Sequence, residues 1–91
     1  MEIQAEYTAG TDKVHMCYDF AFLSNSYPDG TRIAEVLTRF ADVNKDGWAC
    51  WAFSNHDVTR DATRWNLTEQ ANKVYAALLL SLRGSVCLYQ G

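Results

Sequence analysis

The sequence predicts an α/β fold built on a parallel β-sheet. Three strand-like segments alternate with two helix-like segments, and parallel strands joined through helices form right-handed crossovers. The strand segments are apolar without clean two-residue alternation, which is typical of strands covered on both faces. The strands are predicted near residues 14–22, 48–54 and 85–89, and the helices near residues 31–41 and 68–83.

The first strand segment is rich in aromatic residues, among them Tyr18, Phe20 and Phe22. Residues 24–30 follow it and contain Asn, Ser, Pro, Asp and Gly, which favour turns. Thr31 can then cap a helix. The apolar positions of that helix fall on one face, and they are Ile33, Val36, Leu37 and Phe40.

The second strand segment carries Trp48, Trp51 and Phe53. After a polar loop, Thr68 begins the second helix, and Gly84 is expected to stop it. The apolar stripe of this helix consists of Ala71, Val74, Tyr75, Leu78, Leu79 and Leu82. The third strand segment follows directly and ends near Tyr89, so that the order of elements is strand, helix, strand, helix, strand.

Composition narrows the class of protein. The chain has 91 residues, enough for one domain, and its 48% apolar and 21% charged residues are typical of globular proteins. A net charge of -3 gives no basic surface for nucleic acid or for an anionic membrane. The longest apolar run, residues 76–80, is too short to span a membrane. The first residues lack the basic region and apolar stretch of a signal peptide. We therefore expect a soluble protein that binds neither nucleic acid nor a membrane.

The three cysteines, Cys17, Cys50 and Cys87, each fall in a strand segment. Their spacing includes no C-x-x-C pair and no histidine at the distance typical of zinc ligands. We predict buried reduced thiols, which indicates a cytoplasmic protein. No metal ligand set, no calcium-site pattern and no cofactor-binding pattern is predicted.

The predicted sheet is incomplete by itself. Parallel strands that are apolar on both faces need cover on both faces, and two helices supply only part of it. We do not expect lysine, proline or inward charges, which commonly protect exposed sheet edges, to protect the edges of these strands. The pattern therefore predicts a part of a larger sheet.

A polar cluster, Asn55-His56-Asp57, directly follows the second strand segment, and Arg60 comes shortly after it. Ligands and catalysis gather at the carboxyl ends of parallel strands. A carboxylate there can accept hydrogen bonds from sugar hydroxyls, a histidine can donate one, and nearby Trp and Phe rings offer flat surfaces for stacking. Such residues are also common in turns because they satisfy local backbone groups, and the residues alone favour that structural explanation.

Other chemistries lack their motifs. The sequence contains no G-x-G-x-x-G, no phosphate-binding loop and no G-x-S-x-G elbow. Asp19, within an apolar strand, is either the buried partner of a basic residue or a group near the carboxyl edge of the sheet. His15 is expected to have only a structural role. The residues therefore favour a carbohydrate-binding site, though only weakly, over a nucleotide site or a serine-hydrolase site.

Residues 51–60, Trp-Ala-Phe-Ser-Asn-His-Asp-Val-Thr-Arg, resemble the fourth signature region of the α-amylase family (family 13) of glycoside hydrolases, in its bacterial α-glucosidase branch. Residues 15–20 are similar to the sixth strand of those enzymes, and residues 78–91 to the seventh helix and eighth strand. The resemblance implies a partial (β/α)8 TIM barrel that runs from strand six to strand eight. A rearranged or swapped packing of the isolated segment stays open.

The resemblance also implies roles for individual residues. Asp57 matches the acid that holds two sugar hydroxyls and stabilises an oxocarbenium-like state. His56 matches a histidine that binds the same sugar. Arg60 matches an arginine that pairs with the catalytic acids, and the position of Phe20 corresponds to an aromatic wall of the substrate pocket.

The resemblance does not extend to the two carboxylates that perform the chemistry. The nucleophile pattern Gly-x-Arg-x-Asp has its only counterpart at residues 30–34, where alanine replaces aspartate. Glu2 lacks the glycine that normally precedes the acid/base. We therefore expect part of a retaining α-glucosidase that acts on terminal α-linked glucose and is inactive as this segment alone. A trehalose synthase, a sucrose isomerase and a non-catalytic binding module remain alternatives. Exposed apolar faces predict self-association.

Overall fold

The computed structural model describes residues 1–44 and 46–90. Its three strands form one parallel sheet in the order β1-β2-β3, which confirms the predicted parallel α/β arrangement. The elements, in chain order, are α1 (Glu2–Thr8), β1 (Cys17–Asp19), α2 (Gly30–Val43), β2 (Ala49–Trp51), α3 (Asp61–Arg64), α4 (Glu69–Ser81) and β3 (Ser85–Val86).

The sheet is short, and β2 lies at its centre. Tyr18 of β1 pairs with Cys50 of β2, and Cys50 in turn pairs with Ser85 of β3. The paired segments cover only two or three residues each, fewer than the ranges predicted from the apolar runs. The apolar runs are longer than the strands because residues beyond the hydrogen-bonded ladder are also buried, as Ala52 and Phe53 are after β2.

Alternation along the strands gives the sheet two different faces. The covered face contains Ala49 and Trp51, and α2 and α4 pack against it. Its core also includes the buried residues Phe22, Val36, Phe53, Trp65, Tyr75 and Leu79. The open face contains Tyr18, Cys50 and Ser85, which point away from that core according to the register.

Helix α2 begins one residue earlier than predicted, and its cap is a different residue. The side chain of Asp29 accepts a hydrogen bond of 2.8 Å from the backbone N–H of Arg32, and Gly30 is the first helical residue. The expectation that Thr31 caps the helix is therefore wrong. A carboxylate at the N-cap satisfies an unpaired N–H and also interacts favourably with the helix dipole, so Asp29 fulfils both requirements.

Helix α4 begins as predicted and ends earlier. The Thr68 hydroxyl accepts a 3.1 Å hydrogen bond from the N–H of Ala71. The helix ends at Ser81, because the backbone of Leu82 is already extended (φ -69°, ψ 141°). The expectation that Gly84 stops the helix is wrong.

Gly84 has a packing role instead. Its φ is +142°, which side-chain-bearing residues rarely adopt, and a Cβ placed there would lie 2.7 Å from the carbonyl oxygen of Ala49. It would also lie 2.8 Å from the indole Nε1 of Trp51, which donates a 2.8 Å hydrogen bond to the carbonyl of Arg83. The absence of a side chain at Gly84 therefore lets the chain enter β3 directly against β2.

Two helices were not predicted. Helix α1 lacks a side-chain cap at Met1, which removes the usual signal for a helix start. It is fixed from outside, by the hydrogen bond from Gln4 Nε2 to the carbonyl of Tyr18. Helix α3 is a single turn within the segment that was predicted as a polar loop.

The cysteines differ in burial. Cys50 is buried and Cys17 half-buried, but Cys87 is exposed, and none of the three forms a disulfide. The prediction that each lies buried within a strand is wrong for Cys87, because β3 already ends at Val86. Within residues 1–44 and 46–90, no helix is both long enough and apolar enough to cross a membrane.

Candidate functional site

A cavity of about 300 Å³ lies at the carboxyl edge of the sheet. Parallel strands end at the same edge, and here the segments that follow β1, β2 and β3 converge. The cavity opens towards the open face of the sheet. The residues that line it are Tyr18, Phe20, Ser54, Asn55, His56, Asp57, Cys87 and Tyr89.

The segment Asn55-His56-Asp57 forms a turn that exposes two polar side chains. The backbone N–H of Asp57 donates a 3.0 Å hydrogen bond to the Asn55 side-chain oxygen. His56 Nε2 lies 3.3 Å from an oxygen of Asp57, and the two side chains are 78% and 70% exposed. Asn55 thus has the structural role in the turn, whereas His56 and Asp57 are accessible to a ligand.

Ser54 and Asp61 close the loop that carries this turn. The Ser54 hydroxyl donates to the Asp61 carboxylate at 2.9 Å, and the backbone N–H of Asp61 donates to the same hydroxyl at 2.7 Å. Ser54 is buried. The reciprocal pair therefore fixes both ends of the segment between β2 and α3.

Arg64 holds the ends of two strands together. Its guanidinium donates to four backbone carbonyls, those of Phe22, Ser24, Phe53 and Thr59. The first two follow β1 and the other two follow β2. The guanidinium also lies 4.8 Å from the ring centre of Trp65. Burial lowers the pKa of Arg64, and the nearby Asp61 carboxylate opposes this effect.

Aromatic rings form the other wall of the cavity. Tyr18 and Phe20 pack edge to face with ring centres 5.0 Å apart, and Phe20 is 64% exposed. Burial raises the pKa of Tyr18, and its neighbour Asn55 has the opposite effect, although the Tyr18 hydroxyl does not reach hydrogen-bond geometry with any described residue. The wall is thus an apolar surface with one polar tip.

Arg60 lies beside the cavity and does not line it. Its guanidinium carbon is 4.6 Å from the ring centre of Tyr89, and it donates a hydrogen bond to the carbonyl of Gln90. The structure thus brings Phe20, His56 and Asp57 together, and connects Arg60 to them through Tyr89.

Several residues of the site were not singled out as site residues by the sequence analysis. Tyr18 precedes Phe20 by two positions, a spacing that already indicates one face of a strand. Cys87 and Tyr89 follow β3 at the same edge, and only the strand order could have indicated them. Arg64 carries no local signal, because its four acceptors are backbone carbonyls in distant segments.

The rest of the surface offers weaker candidates for this chemistry. A larger depression of about 830 Å³ follows the outer side of α2, but its polar residues line a shallow groove and do not converge. Within the described ranges, no three His, Cys, Asp or Glu side chains are grouped so that they could hold a metal ion.

Two comparisons with known proteins bear on the family to which this chain belongs. The family model described as "Alpha amylase, catalytic domain" matches residues 1–91. A protein of Rhizobium meliloti (strain 1021) named "Probable alpha-glucosidase" is 54% identical over 95 residues. The alignment covers 100% of this chain and 17% of that relative, so the chain spans about a sixth of the relative's length.

Proposed function

Because the chain belongs to the alpha-amylase catalytic-domain family of glycoside hydrolases, we propose that it forms strands six to eight of a (β/α)8 barrel in a retaining α-glucosidase. Its cavity then receives the terminal glucose unit of an α-linked oligosaccharide. The observation that carries the proposal is the exposed Asp57 carboxylate in a cavity with aromatic walls at the carboxyl edge of a parallel sheet.

Asp57 is assigned to stabilisation of the transition state. An ionised carboxylate has several acceptor sites, so it can accept hydrogen bonds from two neighbouring sugar hydroxyls. As the glycosidic bond breaks, positive charge develops on the sugar ring, and the fixed negative charge of Asp57 becomes more favourable. The fragment leaves this carboxylate 70% exposed, so it is available for such contacts.

His56 and Phe20 are assigned to substrate binding. His56 shares the turn with Asp57 and can donate an imidazole N–H to a hydroxyl of the same sugar. The exposed ring of Phe20, which Tyr18 supports from the side, offers an apolar surface to the sugar ring. A cavity of about 300 Å³ is at the lower end of the range for small-molecule sites, which favours one monosaccharide unit.

Arg60 is assigned to pairing with catalytic acids that lie elsewhere in the barrel. Its position over Tyr89 keeps the guanidinium next to the cavity. One of its nitrogens binds the carbonyl of Gln90, and a guanidinium has further donors in a planar fork. These donors suit a carboxylate on a neighbouring strand.

The segment alone is proposed to lack hydrolytic activity. A retaining glycosidase needs two carboxyl groups about 5 Å apart on either side of the bond. Of the described residues that line the cavity, Asp57 is the one acid. The nucleophile and the acid/base would then come from other strands of the complete barrel.

The test has two arms. The 91-residue chain should not release the chromophore from a chromogenic α-glucoside, but titration with maltose should shift the NMR signals of the His56 ring. Asp57→Asn should abolish these shifts, because the amide replaces one acceptor with a donor, whereas Asp12→Asn, an exposed acid far from the cavity, should leave them unchanged. Turnover by the chain would overturn the assignment of the catalytic roles. Shifts that persist in Asp57→Asn would overturn the sugar site.

Two further properties belong to this proposal. We assign the protein to the cytoplasm, and the absence of a disulfide among its three cysteines is the observation that supports this location. We also propose that the isolated chain self-associates through its open face, where Phe20, Leu88 and Tyr89 are exposed.

A further inference from the structure

The outer edge of β1 carries backbone groups that the sheet itself does not use. In the sheet formed by the described residues, β1 is an edge strand. The N–H of Cys17 donates a 3.1 Å hydrogen bond to the carbonyl of Trp48, on the side of β2. Because successive residues of a strand direct their backbone groups to opposite sides, the N–H and the C=O of Tyr18 point away from β2. Such an edge is able to pair with another strand.

Helix α1 covers this edge with the side chain of Gln4. The Nε2 atom of Gln4 donates a 2.9 Å hydrogen bond to the carbonyl oxygen of Tyr18. A side-chain amide has the same kind of N–H donor as the peptide backbone, so Gln4 makes the hydrogen bond that a neighbouring strand would make. A strand added at this edge would need the space in which the Gln4 side chain lies, and would therefore have to displace it.

Thr8 connects the same helix to the chain at the start of β2. This residue is 4% exposed, and its hydroxyl donates a 2.8 Å hydrogen bond to the carbonyl of Gln4. The hydroxyl also accepts a 3.2 Å hydrogen bond from the N–H of Trp48, the residue directly before β2. The carbonyl of Trp48 is bound by the first residue of β1, so its N–H points to the same side, where β1 has not yet begun. Thr8 thus takes the place of a longer β1.

The other contacts that hold α1 in place are few. The helix has seven residues and no side-chain cap at its beginning, and helices of this length are not stable by themselves in water. Ala5 is buried beneath it. The ion pair of Glu2 with Arg39, at 3.4 Å, joins side chains that are 67% and 65% exposed, so it contributes little. The position of α1 therefore depends mainly on Gln4, Ala5 and Thr8, and we expect the loss of one of these contacts to loosen the whole helix.

We propose that α1 is a removable cover of the β1 edge, and that the edge beneath it is an interface for a second copy of this chain. The element that pairs there is β1 of the second copy, in the antiparallel direction. A symmetric dimer brings the same surface of both copies together. Since the N–H and the C=O of Tyr18 point to the same side, two copies centred on this residue exchange both hydrogen bonds, as residues of a hydrogen-bonded antiparallel pair do. Gln4 prevents this exchange while α1 is in place.

This interface differs from the self-association assigned above to the open face. The open face associates through apolar side chains, those of Phe20, Leu88 and Tyr89. The β1 edge associates through backbone hydrogen bonds, and it becomes available only when α1 leaves. The two contacts therefore respond to different substitutions, and neither the edge nor its cover depends on the proposed glycosidase function.

Amide hydrogen exchange of the 91-residue chain, measured by NMR, tests the cover. Gln4→Met keeps an unbranched side chain of good helix propensity and removes the donor. The amide of Trp48 should exchange roughly fivefold faster in this variant, because that is the usual effect of one lost hydrogen bond on a local opening equilibrium. This amide is bonded to Thr8, so it responds to Gln4 only if α1 moves as a unit. Gln4→Glu, which has the same shape without the donor, should have the same effect.

Sedimentation equilibrium tests the interface, with every variant made in a Phe20→Ser chain to weaken association through the open face. Adding Gln4→Met should increase the dimer fraction several-fold, and the amide of Tyr18 should exchange more slowly as the concentration rises. The matched control is Gln70→Met, an exposed glutamine in the first turn of α4, which should change neither measurement.

Two results would contradict the proposal. Unchanged exchange of the Trp48 amide in both Gln4 variants would show that α1 is not a cover that leaves as a unit. A Gln4→Met, Phe20→Ser chain that is as monomeric as Phe20→Ser alone would exclude the interface. Circular dichroism and the signals of α2 and α4 show that each variant is folded. Sugar is absent from these experiments, so the glycosidase proposal stands or fails separately.

Discussion

The two faces of the same three-stranded sheet differ in how completely this chain buries them. On the covered face, Trp51 is fully buried and its ring lies 5.6 Å from that of Phe22 and 5.2 Å from that of Phe40. Beyond the open face, Phe20 and Tyr89 remain 64% and 42% exposed. The difference arises because alternate residues of a strand point to opposite sides, while α2 and α4 pack on only one of them.

The covered face contributes mainly to stability, and the open face carries the candidate functional site. The covered face is complete, since its aromatic residues all have partners within the chain. The open face has the residues of the candidate sugar site and lacks a cover. In a barrel, the corresponding face points to the interior, where side chains from the other strands fill the space. The proposed barrel segment accounts for both faces with one arrangement.

The largest effect is expected from Trp51→Ala on the covered face. Removal of a fully buried indole should lower the free energy of unfolding by about 3–5 kcal/mol, which is a large part of the stability of a small domain. Urea denaturation followed by circular dichroism measures it. Cys50→Ala, in the same strand and on the open face, is the control and should cost about 1 kcal/mol. Equal losses would mean that the two faces do not differ.

An intermediate effect is expected at Arg64, which connects the core to the site. Arg64→Met removes a charged donor from four carbonyls and should cost about 2–3 kcal/mol in the same denaturation assay. Arg64→Lys should recover only a part of the lost stability, because an ammonium group cannot reproduce the planar fork of donors of a guanidinium group. The control, Arg32→Met, removes an exposed i,i+3 pair with Glu35 and should change stability by about 0.5 kcal/mol or less.

The smallest effect on stability is expected from Phe20→Ser. This ring is exposed, so the change should alter the free energy of unfolding by less than about 0.5 kcal/mol. It should nevertheless reduce self-association in sedimentation experiments, because it removes apolar area from the open face. Phe22→Ser, two residues further on and 1% exposed, should instead destabilise the fold strongly. A compact monomer at high concentration of the unaltered chain would contradict the proposed self-association.

The sequence was sufficient for features that depend on local patterns. Strand, helix and strand alternation predicted the parallel sheet, and Thr68 was identified as a cap from its position before the apolar stripe. The cap of α2 was not predicted correctly, because Thr31 is a residue type that caps helices and the position held by Asp29 was not considered. Helix α1 could not be predicted from a cap, since its stabilising contacts come from β1.

The candidate site also has one part that the sequence predicted and another that it did not. The turn of Asn55, His56 and Asp57 could be predicted because it follows an apolar strand directly. The residues around this turn could not be predicted. Cys87 and Tyr89 line the same cavity as the turn, but they are about 30 residues away from it in the sequence. The role of Arg64 requires knowledge of where four carbonyls point, and sequence patterns contain no such information.

The close approach at Gly84 has a consequence for the cavity at the carboxyl edge of the sheet. The missing side chain there determines how near β3 comes to β2, and Cys87 and Tyr89 follow β3 by only a few residues. A methyl group at position 84 would push the third strand outward and widen the opening between Tyr89 and Asp57. If the cavity binds sugar as proposed, the size of sugar that it admits is controlled in part from the opposite end of the sheet, by a residue that does not line the cavity.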